Sequence, residues 1–474
     1  MSVAIWWIRR DLRLGDNPAL RGALSCAQQV IPVFVQDPFF DSSPMVSTRR
    51  LMFLADGLSR LDEELRSHGS YLVIRSGQPL DVLSDLVDQT GAERIFAEAD
   101  YSPYARRRDR PVVDRLDLQL VGGPSLSHPR SVLKQDGSPY TVYSPYMRAW
   151  KATYLTGQVN LIDPPSKITT PPGISSDPGQ VIPDEVVEMD FLGGEQEAQR
   201  RLDAFTRGAD PEIYRYADQR DRMDLDATSL LSPYLRFGML SAGQAVQAAR
   251  EALQNARDES ARKGAETWLN ELIWREFYIA ILYHFPRVSR GSFRENLRDI
   301  RWNNDPREFD AWCEGRTGYP VIDAAMRQLR NTGWMHNRAR MIVASFLTKD
   351  LLIDWRWGER WFMQQLIDGD PAANNGGWQW TAGTGTDAAP YFRIFNPVLQ
   401  SKKFDPHGDY IRRWVSELVQ VPGRYIHSPW EMPVELQRNS KCLLGEDYPL
   451  PIIDHGFARQ RTLEAYKNAG QEVD

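Results

Sequence analysis

The sequence is poor in cysteine, has no long apolar run and shows no excess of basic charge. Of its 474 residues only three are cysteines, Cys26, Cys313 and Cys442. An odd number at wide spacing forms neither a disulfide framework nor a metal-binding pattern, so a reducing cytoplasm is the expected setting and no metal is expected. Cys313 is expected to be a buried spectator thiol and not a nucleophile. Apolar runs stay below the roughly 18 residues that a membrane-spanning helix needs, so no membrane association is expected. The N-terminal MSVAIWWIRRDLRLGDN turns charged at Arg9, too early for a secretory leader. A formal net charge of −6 argues against a general polyanion binder. Local clusters such as Arg106–Arg108, Lys402–Lys403 and Arg412–Arg413 can still make basic faces, because binding follows the local field. Internal repeats and low-complexity tracts are absent. So is a G-x-G-x-x-G fingerprint after the first apolar run, which leaves a dinucleotide fold unsupported.

What is present is ordinary globular composition, 42% hydrophobic and 25% charged, in a chain long enough for two domains. Over residues 1–130, short apolar runs (VAIWWI, VIPVFVQ, YLVIRS, RIFAEA, LQLVGG) alternate with amphipathic stretches. STRRLMFLADGLSRLDEELRSHG carries Leu51, Leu54, Leu58, Leu61 and Leu65 at helical spacing, and PLDVLSDLVDQTG is a second helix ended by glycine. Strand–helix–strand alternation predicts a parallel sheet with helices on both faces. Residues 131–196 form the expected linker, with the Pro-, Ser- and Gly-rich text of 155–195 predicted to run extended over the surface. Residues 197–474 read as helical throughout. The fold class is therefore α/β followed by all-α.

Two helical stretches carry unusual faces. In WLNELIWREFY, Glu271, Trp274, Arg275 and Tyr278 share one face, while Leu269, Ile273, Phe277 and Ile281 form an apolar stripe on another. A surface Arg–Glu pair with snorkelling aromatics would explain the first face equally well. In GWMHNRARMIVASFLTKDLL, read as one helix, Trp334, Asn337, Arg338 and Met341 share a face, with Ile342, Phe346 and Leu347 serving the core. Asn and Arg suit base edges or phosphates, and Met and Trp suit flat apolar groups. A third stretch, DGDPAANNGGWQWTAGTGTDAAPYFRIFNP at 368–397, is too rich in Gly and Asn to be expected inside a helix and too aromatic for a solvated loop. Together they point to a wide cavity for a planar, polar ligand. The 15 tryptophans fill a helical core on the plain reading; a redox relay is the sharper one, which spacing alone does not decide.

The segments RRDLRLGDN, TSLLSPYLRFG, WLNELIWREFY, TGYPVIDAAMRQL, TGWMHNRARMIVASFLTKDLLIDWRWGERWFMQQLIDGDPAANNGGWQW and RIFNP closely resemble the photolyase/cryptochrome flavoproteins, and most of all the class I cyclobutane pyrimidine dimer photolyases of microbes. The resemblance runs in order from residue 5 to about 465. It implies a Rossmann-like parallel-sheet domain joined by a long linker to an all-helical domain that binds FAD, fully reduced when active. By resemblance Tyr216, Thr228, Ser229, Leu230, Leu231 and Ser232 hold the flavin phosphate end, with Leu230 standing where some members carry arginine. Trp268, Arg275, Asp368, Gly369 and Asp370 line the flavin, and Asn374 faces its N5 edge, where an amide accepts a hydrogen bond without offering a proton. The substrate cavity carries over as Glu271, Trp274, Asn337, Arg338, Met341 and Trp380, with Arg220 and Gln400 near the DNA backbone. Glu271 is then the group expected to stabilise the dimer radical anion. Trp378, Trp355 and Trp302 match the family's photoreduction relay, from the flavin to the surface.

The implied activity is light-driven repair of pyrimidine dimers in UV-damaged DNA by a bacterial-type cytoplasmic monomer. A (6-4) photolyase is disfavoured, because its two cavity histidines are replaced by Asn337 and Met341. A cryptochrome-type receptor is disfavoured by Asn374 and by the short tail after FARQRTLEAYKNAG. For a second, antenna chromophore, ADYSPYARRRDR looks more like deazaflavin-binding members than folate-binding ones, which carry Asn-Glu where Tyr104 and Ala105 stand. An 8-hydroxy-deazaflavin is therefore favoured over methenyltetrahydrofolate, although Ala105 replaces a glycine that allows close approach.

Overall fold

A computed structural model of the chain describes residues 1–43, 45–155, 157, 159–177 and 188–471. Its contacts group into two compact units. The first comprises Met1–Ala217, Thr228–Pro286 and Ile367–Ala372; the second comprises Asp218–Ala227, Arg287–Leu366 and Ala373–Asp474.

The first unit holds a five-stranded, all-parallel sheet of order β3-β2-β1-β4-β5, with β1 Val3–Ile8, β2 Gln29–Gln36, β3 Val73–Ser76, β4 Arg94–Glu98 and β5 Leu118–Val121. Each strand is one of the predicted apolar runs. β1 is buried along its whole length, as a central strand covered on both faces must be. The order reverses between β1 and β4, the place where open sheets of this kind offer a crevice at their carboxyl ends.

Thr48–Ser67 and Pro79–Thr90 are the predicted helices, the second closed by left-handed Gly91. Two more, Pro18–Cys26 and Pro103–Arg115, escaped sequence reading. The first is short and the second heavily charged, so neither shows a clear apolar stripe. Both are started by a side-chain cap (Asn17, Ser102) followed by proline.

The linker prediction holds only in part. Residues 159–177 do run extended along the sheet domain, with backbone bonds from Val30 to Thr169, Ile168 to His68 and Asp177 to Ile74. Residues 156, 158 and 178–187 lie outside the described residues. Within 131–196, however, stands a helix, Tyr143–Tyr154, with Tyr146 and Trp150 buried. Its Trp150 Nε1 donates to Glu276 at 2.7 Å, on the long helix Glu259–His284. Aromatic side chains with a fixed polar partner turned spacer into core.

The second unit is helical around one large cluster that includes Trp312, Ile342, Phe346, Leu347, Trp355, Phe362 and Trp378. Two sequence expectations need correction here. The stretch 333–352 is not one helix. Left-handed Gly333 ends Pro320–Thr332, His336 caps Asn337–Ser345, and Phe346–Asp350 is a π-turn. Trp334 therefore lies in the turn before the helix. The second correction is larger: Pro371–Ala382 is helical despite its asparagines and glycines. Asp370 accepts from Ala372 N at 2.9 Å and Pro371 opens the helix.

Candidate functional site

In the first unit, Glu259–His284 has the predicted two faces. Leu269, Ile273, Phe277 and Ile281 are buried, whereas Glu271, Trp274, Arg275 and Tyr278 are half-buried. Arg275 donates to Leu235 O at 2.9 Å and to Pro124 O. Further along, Trp268 Nε1 reaches Ser229 Oγ at 3.4 Å. Phe205, unremarked in the sequence, packs against both Trp268 (5.4 Å) and Tyr216 (5.9 Å). Tyr216, Ser229 and Trp268 are thus assembled around one phenyl ring. Leu230 beside them has φ +51°, the left-handed region that a branched side chain enters only under constraint. Leu231 is core, and Ser232 opens the six-residue helix Ser232–Phe237.

The segment 368–370 is held by arginines. Arg10 Nη2 bonds Asp370 at 2.6 Å and its Nε donates to Arg236 O at 3.0 Å. Arg236 in turn donates to Gly369 O at 2.8 Å. Burial lowers the Arg236 guanidinium to about 9, with Arg10's charge adding to the effect. Burial likewise lowers Arg50 to about 10, against the pull of Asp368. Arg275 is also lowered by burial, with Asp370 acting the other way. Arg10, Arg50, Arg236 and Arg275 thus have Asp100, Asp368, Asp370 and Glu276 among their charged neighbours. Buried guanidinium groups of this kind persist because carboxylates and backbone carbonyls face them. Of these cations only Arg275 had been singled out from the sequence.

In the second unit, Asn337 is exposed and Arg338 and Met341 are half-buried. Arg338 Nη2 pairs with Asp221 at 2.7 Å, and its guanidinium lies 4.4 Å from the Phe404 ring centroid. Arg220 Nε lies 3.9 Å from the same Asp221. A groove of about 380 Å³ is lined by Asp221, Arg338, Arg393, Asn396, Gln400 and Lys403 among others. Three residues expected near DNA, Arg220, Arg338 and Gln400, thus come together through one groove and one carboxylate. Arg393 and Lys403 join them; the second was visible only as part of an unassigned basic pair.

Asn374 Nδ2 donates to Glu359 O at 2.9 Å. Trp378 is buried against Phe362 (5.0 Å) and Trp312 (6.1 Å). Trp302 meets Tyr466 at 6.1 Å, and Trp355 is buried in the same cluster as Trp378. Among the described residues, the ring contacts of Trp378 run to Phe362 and Trp312, and not to Trp355. Trp380 is half-buried. An added Cβ on Gly377 would meet no atom within 4 Å, so its backbone is open on that side.

Other chemistries lose ground. All three cysteines are free, and burial pushes the Cys313 thiol well up, away from a nucleophilic thiolate. Among the described residues there is no cluster able to hold a metal ion and no helix long and apolar enough to cross a membrane.

A doubly wound sheet, a helical body, a buried arginine–aspartate cluster and a groove with basic and aromatic lining define an α/β-plus-helical protein. Residues 4–168 match the family model described as DNA photolyase, and residues 268–468 that of the FAD binding domain of DNA photolyase. The deoxyribodipyrimidine photo-lyase of Agrobacterium fabrum is 39% identical, over 98% of this chain and 97% of its own. The crystal structure of a bacterial class III photolyase from Agrobacterium tumefaciens superposes with a TM-score of 0.90 at 37% identity, covering 99% and 98% of the two chains. The cryptochrome of Synechocystis sp. PCC6803 follows at 0.89 and 29%, over 98% and 99%. The chain belongs to the photolyase/cryptochrome family, and its helical part carries the family's FAD-binding domain.

Proposed function

We propose that this protein is a light-driven carbon–carbon lyase that splits cyclobutane pyrimidine dimers in UV-damaged DNA, working as a class I-type photolyase, a monomer and a cytoplasmic enzyme. The observation that carries the reading is the groove in which Arg338 and Gln400 meet Arg393 and Lys403, with Arg220 joined through Asp221. Full-length relatives named deoxyribodipyrimidine photo-lyase support it. Reduced FAD, when bound, supplies on excitation the electron that opens the dimer.

The chain's own residues do the rest. Arg220, Arg338, Arg393 and Lys403 neutralise backbone phosphates, which makes binding fall steeply with salt. Trp274 and Trp380 offer indole faces to the extruded bases, while Asn337 and Glu271 bond their edges and Met341 packs on them. Glu271 would support charge developing on the dimer carbonyl. The flavin's holders are Tyr216, Thr228, Ser229, Leu230, Leu231, Ser232, Trp268, Arg275, Asp368, Gly369 and Asp370. Asn374, one amide hydrogen of which is given to Glu359 O, would offer its carbonyl oxygen as an acceptor to N5. Trp378, Trp355 and Trp302 would carry electrons inward to reactivate oxidised cofactor.

An 8-hydroxy-deazaflavin antenna at the strand carboxyl ends completes the proposal. Tyr104 stacks on Phe39 at 4.1 Å and bonds Asp37, with the Arg108 guanidinium 5.6 Å from its ring, a surface suited to a flat anionic chromophore. Ala105 is buried in the first helical turn, its N–H capped by Ser102. The fluorescence of acid-released pigment tests this, and folate emission alone would refute it. The main reading is tested by incubating a thymine-dimer oligonucleotide with reduced protein. Restoration is expected under blue light only; restoration in the dark, or none under light, would remove it.

A further inference from the structure

Trp274 already has one indole face occupied. Tyr143 lies against it with ring centroids 3.6 Å apart and planes within 7° of parallel. Tyr143 opens the helix Tyr143–Tyr154, inside the stretch whose composition had suggested only a spacer. It is buried and well fixed there. Its hydroxyl donates to Asn270 O at 2.8 Å, one turn before Trp274 on the partner helix, and its ring meets Phe277 at 5.9 Å. The rest of its helix is anchored by Trp150 on Glu276 and by Tyr146 on Phe277. Phe277 at 80° and Tyr278 at 35° flank the indole. Trp274 is nevertheless only half-buried, so the surface it leaves open faces away from Tyr143.

We infer that Tyr143 is a positioning residue for Trp274. It sets the plane of the indole and closes one face, so that a flat pyrimidine can stack only on the other. An indole that arrives already ordered does not lose side-chain freedom on binding, and preorganisation of one such side chain shifts affinity by roughly two- to tenfold. The inference rests on the repair reading, since it assigns Trp274 to the substrate. It concerns lesion recognition alone. Neither ring carries a charge that would neutralise a backbone phosphate, so binding to undamaged DNA should not depend on the pair.

The test is a set of dark binding titrations with reduced, FAD-loaded protein on dimer-containing and undamaged oligonucleotides. Tyr143→Ala should weaken binding to the dimer about fivefold and leave undamaged DNA unchanged. Tyr143→Phe, which keeps the ring, should restore wild-type discrimination. In the double variant with Trp274→Ala, losing Tyr143 should add almost nothing, because it acts through the indole. A Tyr143→Leu variant, filling the space without a flat face, guards against a folding defect and should behave like Tyr143→Ala at wild-type FAD content. Additive losses in the double variant, or equal losses on undamaged DNA, would mean a merely structural tyrosine. Wild-type protein with no preference for the dimer would sink the repair reading and this role with it; wild-type preference with an unaffected Tyr143→Ala overturns the role alone.

Discussion

Gly358 is the smallest residue in contact with Trp378, and replacing it with alanine tests whether that indole matters where it stands. A Cβ on Gly358 would fall 2.1 Å from Trp378 Cη2, 2.5 Å from Cζ3 and 2.6 Å from Leu347 Cδ2. Ordinary carbon contacts are roughly 3.5–4.0 Å. The ring must therefore retreat by more than an ångström, and it is buried against Phe362 and Trp312. Overpacking of this kind costs about 1–3 kcal/mol. Against it stands the gain from replacing glycine inside the helix Trp355–Gln365, about 1 kcal/mol. The net expectation for Gly358→Ala is a loss of up to about 2 kcal/mol, read as a lower urea midpoint at unchanged slope. The functional readout separates packing from relay. Light-driven reduction of bound oxidised flavin should slow, because Trp378 has moved. Dimer repair by chemically pre-reduced protein should hardly change, since no lesion contact was touched. A variant as stable as wild type that photoreduces at the wild-type rate would refute both the packing argument and the role of Trp378.

Trp302→Phe, a change at the surface end of the same relay, should likewise slow photoreduction while repair by pre-reduced protein persists; equal losses in both would reject the assignment. Arg338→Ala should weaken dimer-DNA binding and lower the slope of log affinity against log salt by about one, as one phosphate contact disappears; an unchanged slope would place Arg338 away from the backbone. Burial holds Lys349 at about 7 against its usual 10.5, with its ammonium donating to Ala382 O at 2.9 Å over the Tyr466 ring. Between those values the unfolded chain binds the extra proton, so this group makes stability rise with pH across that window, by up to about 1.4 kcal/mol per pH unit. Lys349→Met should flatten the rise in urea midpoint between pH 7 and 9, and parallel wild-type and variant curves would contradict it.

Strand identity was legible because β1 and β2 are long apolar runs and β3 to β5 have short apolar centres, and two sheet-domain helices because their leucines repeat at helical spacing. The helix Tyr143–Tyr154 was not, since it sits beside proline-rich text and its stability comes from Glu276, far along the chain. The arginine–aspartate cluster around 368–370 was illegible for the same reason. Arg10 and Asp370 are 360 residues apart, and nothing local to RRDLRLGDN announces a carboxylate partner. The face of Glu271, Trp274, Arg275 and Tyr278 fared better: a carboxylate and a guanidinium beside aromatics at helical spacing violate ordinary core patterning, and that is visible without a partner. Trp334 shows the limit of spacing arguments, for it matches the period of Asn337–Ser345 yet precedes its cap.

The helix Pro371–Ala382 shows why local propensity failed where the chemistry is densest. Asparagine disfavours helices because its amide competes for nearby backbone groups. Here that competition is removed, because the amides are engaged elsewhere. Asn374 Nδ2 is taken by Glu359 O, Asn375 Nδ2 by Val288 O at 3.0 Å and Glu359 Oε1 at 2.8 Å, and Gln379 Nε2 by Val288 O at 3.0 Å. Residues that would unwind an isolated peptide become lateral anchors for the folded helix. The helical conformation then has a consequence that a loop would not. Successive residues turn by about 100°, so Asn374 and Trp378, four apart, share a face, whereas Trp378 and Trp380 point some 200° apart. One indole is driven into the core beside Phe362 and Trp312, and the other stays half-buried. Two tryptophans separated by a single residue can serve relay and substrate independently only because the segment between them is helical.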